Sequence, residues 1–188
     1  MSTKQEFAPT DTIVLVGMMG AGKTAIGRRL AKRLGLKFID ADDEIEIAAG
    51  CSIEDIFKEH GETAFRDGER RVIERLLQQQ THVLATGGGA FMDPKTRAAI
   101  KQGGISVWLR ADIDVLWQRV SRRGHRPMLK TDDPRATLTA LIDKRYPIYA
   151  EADVTVESLD GPPEETVNRV MDALWRYISS RKQDNEYA

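Results

Sequence analysis

A three-layer α/β/α domain around a five-stranded parallel sheet is the fold this sequence predicts. Short apolar, β-branched runs alternate along the chain with longer segments whose apolar residues recur at helical spacing. Strands that alternate with helices build a mostly parallel sheet covered on both faces. With 188 residues the chain is about one domain long. It shows no internal repeat and no linker. A single domain over 1–188 is expected, with flexible polar tails at 1–11 and 182–188 and a mobile lid at about 120–133.

The elements follow in order. The run 13–16 ends at Gly17 and reads as a buried strand. Residues 24–34 place Ala25, Ile26, Leu30, Ala31 and Leu34 on one side, with Gly35 as the stop. A second strand is expected at 37–39, followed by a short helix at 44–49. Ser52 suits the N-cap of a helix carrying Ile53, Ile56 and Phe57, with Asp55 at the capping-box position and Gly61 as its end. A longer helix spans 62–80. The third strand is 83–85, and Asp93-Pro94 opens a helix as cap and first-turn proline. The fourth strand is 105–109. Asp112 suits the cap of a helix to about residue 120, and Asp133-Pro134 starts another to about Arg145. The fifth strand is 154–156. A last amphipathic helix begins at Pro162-Pro163, with Val167, Val170, Met171, Leu174 and Ile178 inward.

Composition removes several function classes. Lys and Arg total 28 against 29 Asp and Glu, a net charge of -1, which gives no basis for coating nucleic acid or docking on an anionic membrane. One cysteine, Cys51, excludes an internal disulfide framework. No apolar run approaches the roughly 20 residues of a membrane helix, and the N-terminus lacks the apolar stretch of a signal peptide. A cytoplasmic, monomeric enzyme is the expectation. His60, His82 and His125 lack metal-ligand spacing. Trp108 is expected in the core, and Trp117 and Trp175 against the sheet.

In such sheets ligands lie beyond the carboxyl ends of the strands. There Gly17-Met18-Met19-Gly20-Ala21-Gly22-Lys23-Thr24 matches G-x-x-x-x-G-K-[ST] between a strand and a helix. Its glycines let successive N–H groups turn toward phosphate oxygens, at a helix N-terminus that favours anions. Lys23 reaches β- and γ-phosphates in such loops, and the Thr24 hydroxyl ligates Mg²⁺. The loop predicts a bound nucleoside triphosphate and leaves the reaction open.

Asp40-Ala41-Asp42-Asp43 follows the second strand. If strand alternation persists, Asp40 and Asp42 point the same way, one toward a metal ion and one toward an acceptor hydroxyl. Any of the three equally suits a helix N-cap. Gly87-Gly88-Gly89 follows the third strand and admits a ligand close to backbone. From Arg119 to Lys130 there are five Lys or Arg residues, His125 and no acid. That run suits either a solvated helix end or a flap that closes over phosphates; without interleaved aromatics a nucleic-acid patch ranks last.

Together these motifs resemble the shikimate kinase family. The resemblance covers residues 12–174 and rests on 17–24, Asp40-Ala41-Asp42, Phe65-Arg66-Asp67-Gly68-Glu69, Gly87-Gly88-Gly89-Ala90, Arg126-Pro127-Met128-Leu129 and Lys144-Arg145-Tyr146-Pro147-Ile148-Tyr149. It implies a P-loop kinase that moves the γ-phosphoryl group of ATP to the 3-hydroxyl of shikimate with Mg²⁺, toward chorismate and aromatic amino acids. It implies Gly17, Gly20, Ala21, Gly22, Lys23, Thr24, Arg119, Arg126 and Pro163 around ATP, with Arg126 closing from the lid and Arg119 and Pro163 flanking adenine. Thr24 and Asp40 are implied at the metal. Asp42, Arg66, Gly87, Gly88, Gly89 and Arg145 are implied around shikimate, with the arginines on its carboxylate, Gly88 and Gly89 offering backbone N–H, and Glu69 orienting Arg66. Lys23, Asp42 and Arg126 are the implied catalytic residues.

Guanidinium suits this task because a carboxylate takes a rigid bidentate donor. The bland alternatives are an Arg66 paired with Glu62 or Glu69 on a helix surface, and an Arg145 solvated beside Asp143 and Lys144. Two other functions remain in play: a kinase for another polyol acid, gluconate or quinate, and a non-catalytic nucleotide-binding switch.

Overall fold

The structure is a computed structural model, and it describes residues 9–122, 129 and 131–186. Five parallel strands form one sheet in the order β2-β3-β1-β4-β5. They are β1 (Thr12–Val16), β2 (Lys37–Asp40), β3 (His82–Ala85), β4 (Gly104–Arg110) and β5 (Val154–Glu157). β1 lies at the centre, with Val14 level with Leu84 on one side and Ser106 on the other. Every residue of β1 and β3 is buried, which is why these strands read as continuous apolar runs. The edge strand β5 alternates buried and exposed residues, the pattern of a strand with one covered face. Ser106 carries the polar group of β4 inside; its N–H and Oγ both donate to Asp153 Oδ2, at 2.8 and 2.7 Å.

Seven α-helices connect or follow the strands among the described residues: α1 (Lys23–Leu34), α2 (Ala41–Ala49), α3 (Ile53–Leu77), α4 (Pro94–Gly103), α5 (Ile113–Ser121), α6 (Pro134–Tyr149) and α7 (Pro163–Glu186). The β1-to-β2 connection runs toward one sheet edge and the β3-to-β4 connection toward the other. Right-handed crossovers therefore put α1 and α4 on opposite faces. α1 packs on β2 and β3 and against α7, while α4 packs on β4 and against α3. The layers are those expected. None of these helices is long and apolar enough to cross a membrane.

Several boundaries differ from the expectation. α2 begins at Ala41, because Asp40 ends β2 and its carboxylate accepts the Asp42 N–H at 3.2 Å. Strand alternation thus stops before Asp42. Ser52 caps α3, accepting the Asp55 N–H at 3.1 Å. The expected break at Gly61 is a kink inside α3, where Gly61 has φ 78° and ψ 176°. Asp93 accepts the N–H groups of Lys95 and Thr96 ahead of Pro94, as expected. Asp112 stands at the N-cap of α5 but its side chain makes no cap bond. α6 passes the expected end at Arg145 and continues through Pro147. Proline there removes one backbone donor, and the Tyr146 and Tyr149 rings pack on Trp108 with centroids 4.9 and 5.9 Å away. The segment from Lys182, expected as a tail, is helical through Glu186. No Gly or Pro follows Pro163 in α7 to stop the helix. Residues 123–128 and 130, which include Arg126 and half of the expected lid, lie outside the described residues.

The core runs along both faces of the sheet, from Ile26, Leu30 and Val167 to Ile73, Leu76 and Ile100. Trp108 is buried, as expected. Trp175 is 55% exposed and so does not pack against the sheet.

Candidate active site

The carboxyl ends of β1, β2 and β3 gather the sequence motifs on one rim. The loop from Gly17 to Gly22 joins β1 to α1. Gly17 has φ +142°, and a Cβ there would stand 2.7 Å from the Leu109 carbonyl oxygen, so only glycine fits between the loop and β4. Lys23 Nζ donates to the carbonyls of Gly17 at 2.7 Å and Met18 at 2.9 Å. Thr24 Oγ1 donates to Asp40 Oδ2 at 3.0 Å. The two residues expected at a metal ion are therefore neighbours across α1 and β2, and Asp40 also caps α2.

A cavity of about 570 Å³ opens over this loop. Gly20, Gly22, Lys23, Thr24, Asp40, Asp42, Gly87, Gly88, Arg119 and Pro163 line it. Gly17 and Ala21 are buried and shape the loop from behind. Arg119 Nη1 donates to the Gly20 carbonyl and to Ser158 Oγ, both at 3.1 Å, and Nη2 donates to the Leu159 carbonyl at 2.6 Å. It thereby ties the phosphate loop to the segment between β5 and α7. Pro163 lines the cavity and Pro162 does not.

Arg66, Gly89 and Arg145 are not among the lining residues; Arg66 meets the glycine triplet at Gly89 and Arg145 meets it at Gly88. Arg66 Nη1 donates to Glu69 Oε2 at 2.6 Å, and Nε lies 3.7 Å from Glu62. The helical pairings weighed in the sequence exist, yet the guanidinium also covers Gly89, where a Cβ would lie 2.3 Å from Nη2. Arg145 is 6% exposed, not solvated. Its Nη1 donates to the Gly88 carbonyl at 3.1 Å. A Cβ on Gly88 would stand 3.6 Å from the Gly17 carbonyl oxygen. Two arginines from α3 and α6 thus converge on the triplet that borders the phosphate loop.

The sequence model of the family Shikimate kinase matches residues 19–175.

The chain belongs to the shikimate kinase family. A shikimate kinase of Paramagnetospirillum magneticum is 60% identical over 171 residues, covering 91% of this chain and 88% of its own. One from Caulobacter vibrioides is 58% identical over 163 residues, covering 87% of this chain and 82% of its own. Among solved structures, shikimate kinase from Acinetobacter baumannii in complex with shikimate superposes with a TM-score of 0.85 at 38% identity, covering 90% of this chain and 96% of that one. A gluconokinase from Sinorhizobium meliloti shares the fold, with a TM-score of 0.61 at 19% identity over 95% of this chain and 99% of its own.

Two carboxyls at this shikimate kinase family site are out of their ordinary range. Burial raises the pKa of Asp42, and Asp40 beside it pushes further in the same direction against Lys23. Burial also raises Glu69, outweighing its ion pair with Arg66. A Cβ on Gly87 would sit 3.0 Å from both Asp42 Oδ1 and Glu69 Oε1, so the two carboxyls flank one glycine. Glu69 Oε1 is buried and has no hydrogen-bond partner among the described residues.

A carboxyl whose pKa is higher folded than unfolded binds more protons in the folded state. Its burial therefore costs stability increasingly as pH rises above the unfolded value and costs a constant amount above the folded value. Asp42→Asn is expected to raise Tm at pH 7 relative to the unaltered protein. The difference should shrink on acidification and vanish below the ordinary value of 3.8. Thermal melts across that range test it, and a lower Tm for the variant at pH 7 contradicts it.

Sequence reasoning missed eight lining residues: Met19, Ala25, Ile26, Thr86, Arg122, Ser158, Gly161 and Thr166. Met19 stands inside the phosphate-loop motif at a position the pattern leaves open, and Arg122 belongs to the basic run. Ser158 and Thr166 flank the β5-to-α7 turn, and no motif marks them.

Proposed function

We propose that this chain transfers the γ-phosphoryl group of ATP to the 3-hydroxyl of shikimate, giving ADP and shikimate 3-phosphate. The observation that carries the reading is the meeting of a phosphate loop and two guanidinium groups at one glycine triplet. The loop from Gly17 to Thr24, with Gly20, Gly22, Lys23, Arg119 and Pro163, takes the nucleotide. Loop N–H groups and the N-terminus of α1 face the polyphosphate, and Lys23 exchanges its carbonyl partners for phosphate oxygens. Arg119 and Pro163 flank the base. Arg126, between α5 and α6 in the sequence, adds positive charge for the phosphates.

Thr24 and Asp40 fit Mg²⁺. One hydroxyl and one carboxylate, hydrogen-bonded to each other, suit an ion held by few protein oxygens, substrate phosphates and water. The ion supplies charge neutralisation on the transferring group. On the acceptor side Arg66 and Arg145 hold the carboxylate, with Glu69 fixing Arg66. Asp42 holds the hydroxyls, and its raised pKa suits it to take the proton as the O–P bond forms. The reaction runs in the cytoplasm on this reading, in keeping with the lone free Cys51.

The test is ADP release with Mg²⁺-ATP and shikimate, against quinate, gluconate and no acceptor. Shikimate is expected to stimulate turnover well above the other three. Equal rates with and without shikimate overturn the reading, and preference for gluconate or quinate replaces the substrate.

Gly89→Ala checks the acceptor side. The three atoms nearest the added methyl all belong to the end of the Arg66 side chain. The fold is expected to hold while the guanidinium is displaced. KM for shikimate should rise about tenfold or more, as for loss of a charged hydrogen bond, with KM for ATP unchanged. Unchanged KM for shikimate would place Arg66 elsewhere in the mechanism.

A further inference from the structure

The Gly88 carbonyl takes two donors from α6. One is Arg145 Nη1 and the other is the hydroxyl of Tyr149. A trans peptide is planar, and its C=O and N–H point in opposite directions; no peptide here is cis among the described residues. A Gly88 carbonyl held against α6 therefore turns the Gly89 N–H the other way. In the turn that follows, Ala90 N–H donates to the Gly87 carbonyl and Met92 N–H to the Gly89 carbonyl. Gly89 N–H makes no such bond among the described residues, and the Arg66 guanidinium covers the same α-carbon.

We propose that Tyr149 is a positioning residue for the acceptor: its hydroxyl pins the Gly88–Gly89 peptide so that the Gly89 N–H, beside Arg66, is presented to an acceptor oxygen. The inference rests on the function proposed above. Tyr149 is well built for the task. It is fully buried, and the rings of Phe91, Trp108 and Tyr146 surround it at 6.4, 5.9 and 6.3 Å between centroids. Burial pushes its phenol up to about 12, so it remains a proton donor throughout the working range. Without that anchor a glycine pair has little to hold one peptide orientation. Arg145 alone would be shared between the carbonyl and the acceptor. With Tyr149 in place, the remaining donors of the guanidinium are released for the acceptor.

The test pairs Tyr149→Phe with Tyr146→Phe. Tyr146 lies on the same helix, and its hydroxyl donates to the Ala111 carbonyl instead. Each variant loses a phenol hydroxyl, but only Tyr149 touches the glycine triplet, its hydroxyl also lying 4.0 Å from Met18 Sδ. Tyr149→Phe is expected to raise KM for shikimate about fivefold, the scale of one hydrogen bond, while KM for ATP stays within twofold. Tyr146→Phe should leave both constants in place. Equal shikimate constants in all three proteins, or parallel changes in the two variants, overturn the inference. A second measurement uses the unaltered protein and so stands even if Tyr149→Phe folds poorly. The amide resonance of Gly89 should move on titration with shikimate, and an unmoved resonance at saturation overturns the inference. Failure of the function itself looks different, because the unaltered protein would then show no shikimate-dependent turnover.

Discussion

Lys23→Met is expected to lower kcat about a thousandfold while leaving Tm within a few degrees of the unaltered protein. Phosphoryl transfer passes through a loose transition state, so rate comes mainly from placement and charge neutralisation. Removing one preorganised electrostatic donor costs roughly 3–4 kcal/mol, which converts to a factor of about 10² to 10³. Lys23 also braces the loop through the carbonyls of Gly17 and Met18, so its loss removes both charge and shape. Methionine keeps most of the apolar stem, and the glycines still set the backbone. The fall should exceed that of Asp42→Asn, because proton removal contributes less when little bond formation has occurred. Steady-state kinetics of both variants decide the order. A larger kcat loss in Asp42→Asn would make proton transfer the main contribution.

Arg145→Met carries the second large effect. Arg145 is 6% exposed, and its guanidinium donates to the Gly88 carbonyl. Losing a buried charged donor opposite an anionic ligand costs about 2–5 kcal/mol, so kcat/KM for shikimate should fall by about thirtyfold to several thousandfold. KM for ATP should change little. Arg145→Lys restores the charge without the planar fork and is expected to recover only part of the loss. Full recovery in Arg145→Lys would mean that charge alone, not bidentate geometry, serves the acceptor. A matching rise in KM for ATP would show that the residue supports the phosphate loop instead.

Much of this arrangement was legible in the residues. The alternation of apolar runs and amphipathic segments gives the layers, because central parallel strands are buried on both faces. The phosphate loop is readable because its glycines sit between a strand and a helix, where geometry leaves few alternatives. Other features depend on contacts that spacing does not encode. The start of α2 at Ala41 is decided by which of three aspartates first reaches a free N–H. The survival of α6 through Pro147 depends on rings packing onto Trp108 from another part of the chain. Arg145 read equally well as a solvated surface charge until the helix placed it under Gly88. Tyr149 stood inside a quoted motif, but only the sheet brings its hydroxyl to a glycine carbonyl distant in sequence. Ser158 joins the site through its bond to the Ala21 carbonyl, a pairing across most of the chain.

The placing of the indoles has a practical consequence. Trp175 stands mostly in solvent, whereas the edge of Trp108 lies beneath Gly17, where a Cβ would come within 3.5 Å of it. A soluble quencher should silence the first far more readily than the second. Trp117 on α5 is half-buried, so a protein carrying both Trp117→Phe and Trp175→Phe would keep only the chromophore under the nucleotide loop and would report loading of that loop optically, without a label.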